Sequence, residues 1–126
     1  MLDVLIIGGG PIGLACALEA KKKNLDYVVL EKGTLVNSLY HYPQNMTFFS
    51  SSEKLEIDEI PFISKAAKPS KQEALEYYRR IATSNHLNIN LFEKVENVSS
   101  QDDYYQVKSE KGEYQAKNII LSTGFY

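Results

Sequence analysis

The stretch VLIIGGGPIG, from Val4 to Gly13, constrains the fold more than any other part of the chain. A continuous apolar run reads as a parallel strand covered on both faces, and the glycines end it abruptly. From Pro11 to Lys23 the pattern turns helical. Proline stands near the first turn, small apolar residues follow, lysines occupy the last turn and Asn24 is the C-cap. DYVVLEK, Asp26 to Lys32, is a second buried strand. The three segments make a βαβ unit, whose right-handed crossover sets the helix N-terminus at the carboxyl end of the first strand. The fold class is therefore α/β, Rossmann-like, with a parallel sheet.

Gly8, Gly10 and Gly13 form G-x-G-x-x-G inside that unit. Gly8 permits a tight turn, Gly10 a close approach of pyrophosphate to the backbone, and Gly13 close helix–strand packing. The free N–H groups at the helix start, together with its dipole, favour phosphate. Glu31 closes the second strand at the distance where an acid accepts hydrogen bonds from a ribose and repels a 2'-phosphate. The bland alternative is a tight loop beside a solvated strand end. Spacing alone identifies a dinucleotide site and leaves FAD and NAD both open.

The rest of the chain is consistent with one domain of 126 residues. Gly33 to Ser70 contains no long helix, and a connection of that length inside a compact domain is usually a site or disordered. SKQEALEYYRR is a helix opened by Ser70 and Glu73 at capping-box spacing, with Ala74, Leu75, Tyr78, Ile81 and Ala82 as its apolar stripe. Asn85 ends it. The YYRR run reads as a solvated face, with Glu76 and Arg80 as a surface ion pair. LNINLF alternates, and KVENVSS, YYQVKSE and GEYQAKN are short strands. They suggest a small antiparallel β-meander inserted before a final parallel strand, IILS.

Composition excludes several classes. A net charge of -2 provides no basic footprint for nucleic acid or an anionic membrane. The apolar N-terminal stretch lacks a basic leader and is broken by glycines, so it is no signal peptide, and no run is long enough to span a bilayer. A single cysteine, Cys16, forms no internal disulfide and fits a cytoplasmic location. Cys16 reads as a small hydrophobe, His41 as a loop residue binding backbone or cofactor edge, and His86 as structural or solvated. No metal-ligand spacing is present.

DVLIIGGGPIGLACALEAKKKNLDYVVLEKG, VNSLYHYPQNMTFFSSSEKLEI, EALEYYRRIA and the terminal STGFY together resemble the N-terminal FAD half of the two-dinucleotide-binding-domain flavoproteins, in the pyridine nucleotide-disulfide oxidoreductase superfamily. Within it the chain most resembles the thioredoxin reductase-like bacillithiol-disulfide reductase (YpdA) group. The resemblance implies that Gly8, Gly10, Pro11, Ile12 and Gly13 hold the FAD pyrophosphate, with Glu31 on the adenosine ribose and Lys32 beside it. It implies that Tyr40, His41, Thr47 and Phe48 approach the flavin, that Val95 meets adenine through its backbone, and that Thr123 and Gly124 form the second FAD motif.

In such proteins the chain continues past Thr-Gly into an NAD(P)H-binding domain and returns to finish the FAD domain. Only one G-x-G-x-x-G is found here, so residues 1–126 are expected to be an FAD-binding fragment, inactive alone. The parent would be an NAD(P)H-dependent flavoprotein oxidoreductase with a low-molecular-weight disulfide as acceptor. A thioredoxin reductase needs a C-x-x-C pair, which this chain lacks, and many members of the group carry a cysteine where Ile12 stands. A flavin monooxygenase-like parent and a non-catalytic dinucleotide-binding module are the alternatives. A homo-oligomer, formed through surface that a missing half would cover, is a further expectation.

Overall fold

The computed structural model describes residues 1–41, 47–48 and 51–124, apart from the Ser38 side chain. Its elements run β1 (Leu2–Ile7), α1 (Pro11–Lys22), β2 (Tyr27–Leu30), α2 (Asn37–Tyr40), α3 (Ser52–Leu55), α4 (Lys71–Ser84), β3 (Ile89–Asn90), β4 (Val95–Ser100), β5 (Tyr105–Ser109) and β6 (Glu113–Leu121). They build one six-stranded sheet in the order β3-β2-β1-β6-β5-β4. β1, β2, β3 and the end of β6 are parallel, while β4, β5 and the start of β6 are antiparallel. The expected Rossmann-like α/β fold with an antiparallel meander is present.

The apolar strands are buried on both faces because alternate side chains enter different layers. Val4, Ile6 and Val29 pack against Ala17 and Ala20 of α1. Leu5, Val28 and Leu30 instead meet Val107 and Ala116 of the meander. Beyond α1, a larger cluster joins Leu14 and Leu18 to Ala74, Leu75, Tyr77, Tyr78 and Ile81 of α4, and to Phe62 of the preceding loop.

The chain geometry requires this sheet to curl. β3 and β4 occupy opposite edges, about 24 Å apart in a flat six-stranded sheet at ~4.8 Å per step. Yet Asn90 and Val95 are separated only by Leu91 to Lys94, which reach about 17 Å when fully extended. The two edges must therefore approach, and the meander folds over one face of the parallel strands.

Helix ends follow their local chemistry. α4 starts at a capping box, with Glu73 N–H donating to Ser70 Oγ at 3.2 Å and Ser70 N–H to Glu73 Oε1 at 3.0 Å. α1 closes at Lys23, with Asn24 just beyond it at φ 57°; Asn24 N–H donates to Lys21 O and Leu25 N–H to Ala20 O. Asn24 is thus the left-handed residue after the cap rather than the cap itself. His86 plays the same part after Asn85, and is exposed.

Three expectations change. The YYRR run is only partly a solvated face: Arg79 and Arg80 are exposed and Tyr78 is buried in the apolar stripe as expected, but Tyr77 is buried as well. Tyr77 stacks on Phe62 with ring centroids 4.3 Å apart, donates to Ile60 O at 2.6 Å and accepts from Ile57 N–H at 3.1 Å. Its hydroxyl bonds the backbone of the half-buried loop residues Ile57 and Ile60, so a polar tip can enter the core. GEYQAKN and IILS are not separate strands but one, β6: Ala116 pairs with both β1 and β5, and Asn118 at their junction stays in the ladder opposite Val4, its side-chain amide donating to Asp3 O at 3.0 Å. LNINLF pairs as a strand only at Ile89–Asn90.

Tyr77→Phe keeps the ring stack and removes both hydroxyl bonds. It is expected to lower unfolding stability by about 1–3 kcal/mol, read as a lower urea midpoint at unchanged slope.

Candidate dinucleotide site

β1 ends at Ile7, and Gly8 N–H donates to Leu30 O at 2.9 Å, binding the glycine loop to the end of β2. Gly8 has φ 109°, and a Cβ there would fall 2.3 Å from the Ser122 carbonyl oxygen. A Cβ on Gly13 would fall 2.0 Å from Gly8 O. The protein's own packing therefore demands glycine at both positions. Gly10 differs: it has φ -83°, and a Cβ there would meet nothing within 4 Å. The fold itself does not require glycine at residue 10, whereas a group lying against the loop would.

Gly10 also caps α1 without a side-chain hydrogen bond, and the first turn carries no acid. A helix start in this state offers N–H groups and positive potential to an anion. The residues present thus fit a pyrophosphate.

Glu31 follows β2 and is only 6% exposed. Its Oε1 accepts from Gly9 N–H at 2.8 Å and its Oε2 from Gly33 N–H at 2.7 Å. Val36 N–H donates to Gly9 O at 2.9 Å, joining the next loop to the same turn. The acid is thus an anchor of the glycine loop, not a solvated strand end. Each carboxylate oxygen has further acceptor capacity for a ribose hydroxyl.

Ser122 completes the turn from the other side. Its N–H donates to Ile7 O at 2.8 Å, and its hydroxyl lies 3.0 Å from Ile7 O and 2.9 Å from Gly8 O. The sequence pattern drew attention to Thr123 and Gly124, while the neighbouring hydroxyl does the holding. A small polar residue directly after an apolar strand was the available signal.

The other expected site residues divide into two groups. Pro11 begins α1, Ile12 stands 67% exposed beside it, Lys32 is exposed next to Glu31, and Thr123 and Gly124 are exposed beyond β6 near Gly8. Val95 begins β4, half-buried against the Leu5 and Val28 cluster. Among their described contacts, Tyr40, Thr47 and Phe48 meet α4 or its N-cap, and His41 meets Asn37 and Tyr40. Tyr40 meets the His41 ring edge-on at 5.2 Å and has Lys71 and Arg79 over its ring at 5.7 and 6.0 Å. Thr47 bridges to Ser70, and Phe48 packs partly buried against the α4 core. Tyr42, Phe49 and the terminal Phe125 and Tyr126 lie outside the described residues.

Glu93 is a residue that sequence reasoning missed. It is 3% exposed, and its Oε2 accepts from Ser109 Oγ at 2.6 Å and Tyr114 Oη at 2.5 Å. Its own N–H donates to Glu31 O at 2.9 Å. Burial pushes its pKa up, but the bonds from Ser109 and Tyr114 and the Lys111 charge outweigh this and hold the carboxyl below its ordinary 4.5. An acid after a short strand looks solvated in sequence, since its partners stand 16 and 21 residues away.

Cys16 is half-buried against the α1–sheet core, and burial pushes its thiol above the ordinary value of 9.0. A nucleophilic thiol needs the opposite shift. Among the described residues no cluster of His, Cys, Asp and Glu could hold a metal, and no helix is long and apolar enough to cross a membrane.

Comparison with known proteins agrees with this geometry. The profile of the family described as pyridine nucleotide-disulphide oxidoreductase matches residues 5–126. The chain belongs to that family. It is 43% identical over 123 residues to the bacilliredoxin reductase Bdr of Bacillus subtilis, covering 97% of this chain and 38% of that protein. The solved bacillithiol disulfide reductase Bdr (YpdA) of Staphylococcus aureus superposes with a TM-score of 0.95 at 41% identity, over 99% of this chain and 39% of that one. A flavin-containing monooxygenase from Stenotrophomonas maltophilia follows with a TM-score of 0.92 at 25% identity, over 98% and 38% of the two chains. The chain thus spans about two fifths of the length of these relatives.

Gly10→Ala is expected to leave the thermal midpoint almost unchanged and to weaken dinucleotide binding by roughly tenfold or more, the scale of one lost charge-assisted hydrogen bond. Gly13→Ala should instead destabilise the fold itself by about 1–3 kcal/mol. Calorimetry and ligand titration on the two variants separate the effects.

The Glu93 shift also sets a pH dependence. A carboxyl lowered on folding contributes stability that is full above its unfolded pKa and is lost as pH falls through the folded one. Below about pH 4.5 the chain should lose stability more steeply than Glu93→Gln, as read from urea unfolding at a series of pH values.

Proposed function

We propose that this chain is the FAD-binding part of an NAD(P)H-dependent flavoprotein that reduces a low-molecular-weight disulfide. The observation carrying the reading is Gly10, where glycine serves no packing need of the fold and caps the helix start without a side-chain hydrogen bond. Supporting it are the identities of 43% and 41% to proteins named bacilliredoxin reductase and bacillithiol disulfide reductase. NAD(P)H binding is assigned to a part of the parent protein outside these 126 residues, because the sequence has a single G-x-G-x-x-G.

In this reading the chain's work is binding and orientation. Backbone N–H groups around Gly10 to Gly13 take the pyrophosphate, and Glu31 accepts from the adenosine ribose while holding Gly9 and Gly33 in place. Ser122 and Gly8 fix the turn from which Thr123 and Gly124 project. When bound, the flavin supplies electron transfer between a nicotinamide and the acceptor. Cys16, the single cysteine of these 126 residues, is assigned no part in this, being half-buried with a raised thiol pKa.

A flavin monooxygenase parent is the second reading, favoured by the 0.92 TM-score to the Stenotrophomonas enzyme. The lower identity, 25% against 41%, ranks it behind the disulfide reductase.

The purified chain, incubated with FAD and desalted, should keep a protein-shifted flavin spectrum. Retention of NAD in a parallel titration, without retention of flavin, would refute the FAD assignment. In the full-length parent, NADPH should be consumed with a disulfide reduced; oxygen uptake without disulfide reduction would favour the monooxygenase.

A further inference from the structure

Beyond the end of β3, the chain from Asn90 to Glu93 runs beside the Glu31–Gly33 segment. Glu31 N–H donates to Asn90 O at 3.0 Å, Phe92 N–H to Gly33 O at 3.1 Å and Glu93 N–H to Glu31 O at 2.9 Å. Both backbone groups of Glu31 are therefore held by this one segment, while its carboxylate holds Gly9. What holds the segment in turn is the meander. The Glu93 carboxylate takes Ser109 Oγ from β5 and Tyr114 Oη from β6, and Lys94 and Glu110 exchange a second pair of bonds, Lys94 N–H to Glu110 Oε1 and Glu110 N–H to Lys94 O, each 3.0 Å.

Ser109 is itself positioned by its turn, accepting from Lys111 N–H at 3.2 Å and Gly112 N–H at 3.1 Å. A continuous path of hydrogen bonds thus runs from the meander through Glu93 to the backbone of Glu31 and on to the glycine loop. Sheet curvature explains why one residue can do this: the four-residue link brings the two sheet edges together at Glu93.

We propose that Glu93 is a positioning residue for the adenosine end of the dinucleotide site, setting the place of Glu31 through the meander. This rests on the dinucleotide reading of the glycine loop but not on the choice of FAD, since ADP is common to FAD and NAD. Glu93 touches no ligand in this proposal. It acts by fixing Glu31 and, two residues later, the start of β4 at Val95.

The test measures ADP affinity of the folded chain, well below its thermal midpoint, for Glu93→Ala, Glu93→Gln and Tyr114→Phe. Glu93→Ala should weaken ADP about tenfold, the scale of a lost hydrogen bond to a charged group. Glu93→Gln, whose amide oxygen still accepts from both hydroxyls, should recover most of that affinity. Tyr114→Phe keeps the ring packing and removes one donor, so it should cost about threefold even if Glu93→Ala fails to fold. Any flavin held by these variants should keep its wild-type band shape, because the adenosine end alone is displaced.

A purely structural role predicts lower thermal midpoints with ADP affinity unchanged in the folded variants, and that result overturns the proposal. Wild-type chain that binds ADP and NAD but not FAD would refute the flavin reading while leaving the Glu93 comparison intact. Wild-type chain that binds no ADP-containing ligand would overturn both.

Discussion

The link from Leu91 to Lys94 is the constraint on which the rest of the structure depends. Four residues must join opposite edges of a six-stranded sheet, and they are too short to do so unless the sheet curls. Curling brings Val107 and Ala116 over Leu5, Val28 and Leu30, so a meander covers the face that α1 does not. The parallel strands can then be apolar on both sides without exposing either. It also brings an acid, Glu93, into a buried position where two hydroxyls and a lysine charge hold it ionised.

The glycine loop is supported from three directions at once. Leu30 of β2 takes Gly8 N–H, Glu31 takes Gly9 N–H, and Ser122 at the end of β6 bonds to Ile7 and Gly8. Each support comes from the carboxyl end of a neighbouring parallel strand, the position at which sheets of this kind present their ligands. This arrangement explains why two of the three motif glycines are fixed by packing and only Gly10 is left to face outward. A loop held this rigidly presents its N–H groups with little reorganisation, the condition under which backbone donors bind anions well.

Much of the site could be read before the fold was known, because its signals are local. Gly8 to Gly13, Pro11 and the strand before them lie within a dozen residues, and the Ser70–Glu73 capping box spans four. What escaped is non-local. Tyr77 looked like part of a charged surface because its hydroxyl partners, Ile57 and Ile60, lie in a loop with no periodicity. Ile119 to Leu121 reads as a strand of its own, continuously apolar, yet Ile119 and Ile120 are half-buried and Leu121 is 72% exposed. Apolar content reports that a strand pairs, but not which of its faces finds a neighbour.

The sequence by itself determined the βαβ unit, the uncharged glycine-capped helix start and the ends of α1 and α4 to within a residue, since each depends on residues close along the chain and on the steric freedom of glycine. Tertiary structure alone decided that β6 is one strand shared by two kinds of pairing, that Ser122 braces the loop, and that Glu31 and Glu93 become buried neighbours. Those outcomes follow from sheet curvature and contacts between residues 16 to 115 positions apart, which no local pattern encodes.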